Sequence, residues 1–128
     1  MHKGFLQTAF ILGALSVAMG AFGAHALKNI FSAETLSTYE TAVRYQFYHV
    51  FALALAGIVY KEFDSKSVLL AGKLFIAGII LFSGSLYLLC YFKTHELANM
   101  YWVGAVTPLG GLSFIGGWLL LAKGVYKK

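Results

Sequence analysis

The chain has 128 residues, of which 59% are hydrophobic and 12% charged, with a formal net charge of +5. A mean hydropathy of +0.74 leaves too little polar surface for a water-soluble domain of this length. The basic excess does not read as a nucleic-acid surface, because no Lys or Arg run is interleaved with aromatics and the charges sit where apolar runs end.

Four apolar runs, residues 4–26, 45–60, 68–91 and 100–122, occupy most of the sequence. A membrane-crossing helix needs about 20 largely apolar residues. Backbone exposed to lipid must satisfy its own hydrogen bonds, so each run is predicted to be helical. The length accommodates one domain, 1–128. The predicted fold is an all-α integral membrane protein: four transmembrane helices in an up-down-up-down bundle.

The first run follows a basic start, Met1-His2-Lys3, and closes on Ala24-His25-Ala26, which has the A-x-A form of a signal-peptide cleavage site. It is longer than the about 7–15 apolar residues of such a signal, and three more spans follow, so an uncleaved first helix is expected. Gly13, Ser16, Gly20, Gly23 and Ala24 recur on one stripe of this helix. Small residues let helices approach closely in lipid, so the stripe is predicted to face the bundle.

The first connection, 28–41, carries helix start signals: an N-cap at Ser32, and the capping-box spacing of Ser37 and Glu40. The second helix is therefore predicted to begin before it enters lipid, with a short interfacial helical extension over 34–44. The densest polar sequence follows, from Tyr39 to His49. Glu40, Arg44 and Tyr48 share one helical face, and Tyr45, Gln46 and His49 form a neighbouring stripe. An arginine here has two roles open to it: it snorkels to headgroups, or it turns inward and marks a site, since buried charge is costly. The expected arrangement is Arg44 turned inward, held by Glu40 and by His25, Ser85 or Tyr87 of the neighbouring helices.

The short polar links 61–66 and 93–99 make neighbouring helices antiparallel. Within the third run, Ser83-Gly84-Ser85 lacks the context of a nucleophile elbow, and Cys90, the one cysteine, reads as a small apolar filler. In the fourth, Thr107-Pro108 removes the hydrogen bond to the carbonyl of Gly104 and permits a kink, and Gly110, Ser113 and Gly117 make a second small-residue stripe. Trp102 and, at the other end, Trp118 with Tyr126 occupy positions typical of interfacial aromatics.

His25, His49 and His95 share one predicted membrane side, with Glu40 and Glu96 near them. Neutral imidazole binds zinc, copper and haem iron, which makes these three the candidate ligands of a metal or haem site. No spaced ligand motif supports that site, no cofactor is predicted, and no phosphate loop, hydrolase triad or mid-membrane carboxylate is present in the sequence.

The segments 20–27, 39–49, 82–89 and 107–118, in that order, resemble the family known as domain of unknown function 423. These are small bacterial inner-membrane proteins with transmembrane-protein-256-like eukaryotic relatives. The resemblance covers nearly the whole chain and implies a multi-span membrane protein without an established activity. It also implies that His25, Glu40, Arg44, Gln46, His49, Ser83, Ser85, Tyr87, Thr107 and Pro108 belong together.

The expected function is that of a non-enzymatic inner-membrane bundle, an accessory or interaction protein, with a polar outer-side cluster that includes Tyr48 beside those residues. Its expected partners are the lipid bilayer and other membrane proteins or further copies of itself, and not nucleic acid. The alternatives are a small transporter or lipid-binding protein with a cavity at Arg44, His49 and Tyr87, and a metal- or haem-binding protein. Seven lysines (3, 61, 66, 73, 123, 127 and 128) flank the termini and the second connection, against Lys28, Arg44 and Lys93 on the other side. The positive-inside rule then puts both termini in the cytoplasm. In a background lacking Cys90, a cysteine at Ser37 is expected to label from outside and one at Ser65 from inside; the reverse pattern would refute the orientation.

Overall fold

A computed structural model describes residues 1–97 and 101–126. Its elements are α1 (Lys3–His25), a 3-10 turn (Leu27–Asn29), α2 (Ala33–Val59), α3 (Lys66–Gly78), a π-helical segment (Ile79–Ser83), α4 (Gly84–Thr94) and α5 (Tyr101–Tyr126). α3, the π segment and α4 run on as one third span, Lys66–Thr94, and all four spans are long and apolar enough to cross a membrane. The expected extension and second span are one uninterrupted helix, α2, and the start of the expected fourth span, Met100, lies outside the described residues.

The helix starts are set by local side chains. Ser32 Oγ accepts from the Thr35 N–H at 3.1 Å and Ser65 Oγ from the Val68 N–H at 3.2 Å, each satisfying a donor that the first turn leaves open. His2 does the same for α1, its Nδ1 accepting from the Phe5 N–H at 3.0 Å, while its own N–H donates to the Gly57 carbonyl at 2.9 Å. Ser37 caps nothing: it lies one turn inside α2, where its carbonyl accepts from Thr41 Oγ1.

The start of α1, the α2–α3 link and the end of α5 meet at one end of the molecule, where the backbone of Gly124 passes beside Ser65 and Val68. At the opposite end Lys93 Nζ lies 3.6 Å from Glu34 Oε1, tying the end of α4 to the start of α2. The chain therefore runs up, down, up and down. α2 and the third span form the central pair; α1 packs mainly on α2, and α5 mainly on the third span.

Both outer packings are written in glycine. In α1, Gly13 faces Val50, Ser16 bonds Gln46, Gly20 faces Val43 and Gly23 faces Tyr39, an antiparallel register in which the stripe meets α2. The stripe is unevenly tight. A Cβ on Gly23 would stand 2.5 Å from the Tyr39 ring, whereas one on Gly20 would make an ordinary 3.6 Å contact with Val43, and Ala24 is exposed. In α5, Gly110, Gly117 and Gly124 recur at seven-residue steps against Phe82, Phe75 and Val68 of the third span, and Gly78 reciprocates by receiving Phe114. A seven-residue repeat keeps one seam of a helix on its partner. Gly110 is the closest crossing, since a Cβ there would lie 2.7 Å from the Phe82 Cα.

Pro108 does not end α5, which continues through it to Tyr126. The departure from α geometry falls on the neighbouring span instead, where the π segment carries Phe82 against Gly110. Wider i→i+5 turns of this kind re-aim the side chains that follow them. The central core collects Phe5, Leu53, Val68, Phe75, Ile79 and Phe114. Phe10, Ile11, Leu15 and Val17 of α1 and Leu112, Ile115 and Leu119 of α5 point outward, the apolar surface that a bilayer covers.

Gly23→Ala and Gly110→Ala are expected to lower the thermal midpoint in detergent, each costing about 1–3 kcal/mol as over-packed contacts do. Gly20→Ala and Gly104→Ala, where the added carbon meets ordinary contact or open space, are expected to be neutral or slightly stabilising. Four equal effects would contradict the register.

Candidate functional site

The polar side chains near the middle of the spans form bonds from helix to helix. Gln46, at the centre of α2 and 2% exposed, is the hub. Its Nε2 donates to Ser16 Oγ of α1 at 2.8 Å, and its Oε1 accepts from the Tyr87 hydroxyl of α4 at 2.7 Å. Ser16 in turn donates to the Leu12 carbonyl at 2.7 Å, so the chain of bonds closes on backbone. One amide thus joins three spans.

Three further links repeat the device. Ser83 Oγ, at the end of the π segment, donates to the Ala42 carbonyl of α2 at 2.7 Å. Ser85 and Thr107 share a hydrogen bond between α4 and α5, one residue before Pro108. Ser113 Oγ, six residues further along α5, donates to the Leu74 carbonyl at 2.7 Å. The Ser113 link sits between Gly110 and Gly117, where the backbones of α5 and the third span come closest.

His49 is buried and engaged at both ring nitrogens. Nδ1 lies 2.7 Å from the Tyr45 carbonyl and Nε2 accepts from Trp118 Nε1 at 3.1 Å, which fits the neutral Nδ1–H tautomer. The ring also stacks on Phe114 with centroids 3.5 Å apart. A metal at Nε2 would have to displace Trp118. His25 ends α1 exposed, and His95 is exposed against Tyr91. Among the described residues no group of three His, Cys, Asp or Glu side chains is placed to hold a metal ion. The three candidate ligands are not brought together.

Arg44 departs from the expected arrangement. It is exposed on α2 and its guanidinium donates to Thr41 Oγ1 of its own helix at 3.3 Å, not to Glu40, His25, Ser85 or Tyr87. Helical position explains this: Gln46, Tyr39 and Ala42 occupy the buried face of α2, and Glu40, Arg44 and Tyr48 lie on the other. Glu40 and Arg44 border a shallow pocket of about 230 Å³ beside Gly20 and Gly23. The candidate residues therefore divide. Gln46, Tyr87, Ser83, Ser85, Thr107 and His49 lie in interhelical links, while His25, Glu40, Arg44 and Tyr48 lie outside them.

Three partners escaped the sequence reading. Ser16 counted there only as a small residue, although a hydroxyl in mid-run needs an acceptor and finds one four residues back. Trp118 was an interfacial aromatic, and Tyr39, whose hydroxyl donates to the Met19 carbonyl, was merely one end of the polar stretch. No spacing rule links Trp118 to a histidine 69 residues away.

With the fold and these links in place, comparison with known proteins is direct. The model of the family described as "Protein of unknown function (DUF423)" matches residues 19–111. The chain belongs to the DUF423 family. A UPF0382 membrane protein of Staphylococcus saprophyticus is 44% identical over 126 residues, covering 95% of this chain and 99% of the relative. The UPF0382 membrane protein YwdK of Bacillus subtilis is 37% identical, with 98% of each chain covered. A UPF0382 membrane protein of Haemophilus influenzae is 38% identical, covering 99% of this chain and 97% of its own. No solved structure matches the chain. This DUF423 chain is thus a membrane protein of an uncharacterised family, with four candidate transmembrane helices.

Gln46→Leu removes both bonds of the hub and is expected to cost about 1–2 kcal/mol of stability in detergent or bicelles. Arg44→Ala is expected to change the stability by no more than about 0.5 kcal/mol, as exposed positions do. A silent Gln46→Leu beside a damaging Arg44→Ala would return the inward-arginine arrangement.

Proposed function

We propose that this protein is a non-catalytic component of the bacterial cytoplasmic membrane, with both termini inside, that acts by associating with other membrane components. One observation carries the reading. Among the described residues, every buried side-chain nitrogen and oxygen has a hydrogen-bond partner within the protein. A catalytic site keeps reactive groups poised for substrate, whereas here hydroxyls, amide and imidazole hold helices to one another. What remains for interaction is the outside: the apolar faces of α1 and α5, which are left exposed among the described residues. The lysine asymmetry supports the orientation.

A second reading, lipid binding, is favoured by an aromatic pocket that reaches Tyr87. Transport through a cavity shared by Arg44, His49 and Tyr87 has weaker support, since Arg44 and Tyr87 border separate pockets and His49 is packed between Phe114 and Trp118.

The accessory reading is tested in native membranes with a photoreactive residue at Val17 of α1 or Ile115 of α5, both exposed. A discrete protein adduct from at least one face, absent when the probe is at buried Leu53, is the expected result. Lipid adducts alone from both faces would contradict an accessory role.

A further inference from the structure

At the end of the molecule away from the termini, a pocket of about 420 Å³ opens between α1, the 3-10 turn, the start of α2 and α4. This lies within the about 300–1,000 Å³ of small-ligand sites. Phe22, Phe31, Tyr39, Tyr87 and Tyr91 supply most of its wall, with Met19, Leu27 and Ile30 completing the apolar part. Two of its three phenols offer it no free donor. Tyr39 donates to the Met19 carbonyl and Tyr87 to Gln46, so the hydroxyl hydrogens of both are already committed to the protein. Hydrocarbon fits such a wall and a polar substrate does not.

Besides the Tyr91 hydroxyl, the polar lining is Thr94 and His95, at the end of α4. The Thr94 hydroxyl already donates to the Cys90 carbonyl, but its oxygen still accepts. Among the described residues, the His95 ring has its contact with Tyr91 and no hydrogen bond or ion pair, and Lys28, exposed and next in sequence to the lining Leu27, makes no ion pair or hydrogen bond. Lys93 beside them is held by Glu34. An apolar trough in a membrane-spanning chain thus ends at an uncommitted imidazole, His95, with the uncommitted ammonium of Lys28 on the residue that follows its Leu27 wall, close to where the spans end. That pattern complements a hydrocarbon chain carrying an anionic phosphate.

We infer that this pocket retains one phospholipid, with an acyl chain among the aromatic rings and its phosphate held by His95 and Lys28. The inference rests on the lipid-binding reading and supplies its ligand class and site; it does not require a protein partner.

The full chain, delipidated in detergent, is titrated with dioleoyl phosphatidylglycerol and followed by native mass spectrometry, with dioleoylglycerol as the ligand of equal chains lacking phosphate. One saturable phospholipid per chain is expected, bound at least tenfold more tightly than the diacylglycerol. Ile30→Trp and Phe22→Trp each add bulk at the pocket mouth and are expected to weaken it at least tenfold, whereas Leu15→Trp, on the exposed face of α1, leaves it unchanged. Lys28→Ala with His95→Ala is expected to abolish the preference over diacylglycerol without changing the thermal midpoint. Adducts that accumulate without saturation would overturn lipid binding as such. A saturable lipid indifferent to both tryptophan variants, or one that binds diacylglycerol equally well, would overturn this site.

Discussion

A hydrogen-bonding group inside a bilayer has no water to fall back on, and the position of Gln46 is where that constraint organises this molecule. The amide offers donors and acceptors at the centre of the second helix, and it is matched when α1 presents Ser16 and α4 presents Tyr87. A rotation of either helix would break a bond that lipid cannot replace. The apolar contacts are less selective. Lipid tails are as apolar as leucine, so burial alone gives little reason for one helix face to be preferred over another.

The glycines make those bonds possible. Hydroxyls of serine and threonine are short, and a link such as Ser113 to the Leu74 carbonyl needs backbones nearly in contact. Gly110 against Phe82 and Gly23 against Tyr39 supply that approach on the two outer interfaces. Helix cost and packing gain therefore belong to the same residues: a glycine costs about 1 kcal/mol against alanine in an aqueous helix, and returns it where an added carbon would force the helices apart. At Gly104, where a Cβ would meet nothing, no such return exists, and packing gives no account of that glycine.

The four spans were legible in the sequence because length and apolarity are the only requirements for crossing lipid, and the Ser32 cap was legible because its signal is local. Registers were not. Periodicity places Glu40 and Arg44 on one face of α2 but does not say which way that face points; the answer lies in Gln46 and Ala42, whose partners are 30 and 41 residues distant. The chemical weight of arginine drew attention to the wrong side of the helix, while the quieter serine of the α1 stripe held the central bond. His49 was legible as part of the Gln46 stripe, but its engagement by Trp118 depends on how α5 lies against the centre of the molecule. The π segment also left no signature in the sequence, although it is the part of the third span that meets Gly110 through Phe82.

Coupling between Ser16 and Gln46 tests the central claim most directly, because two residues that merely fill space lose stability independently. In a thermodynamic cycle of Ser16→Ala, Gln46→Leu and the double variant, measured by reversible unfolding in bicelles, the two losses are expected to fall short of additivity by about 0.5–2 kcal/mol, the range of hydrogen bonds between membrane helices. Additive losses would mean that the amide and the hydroxyl are neighbours without being partners, and that packing alone sets the arrangement of these helices.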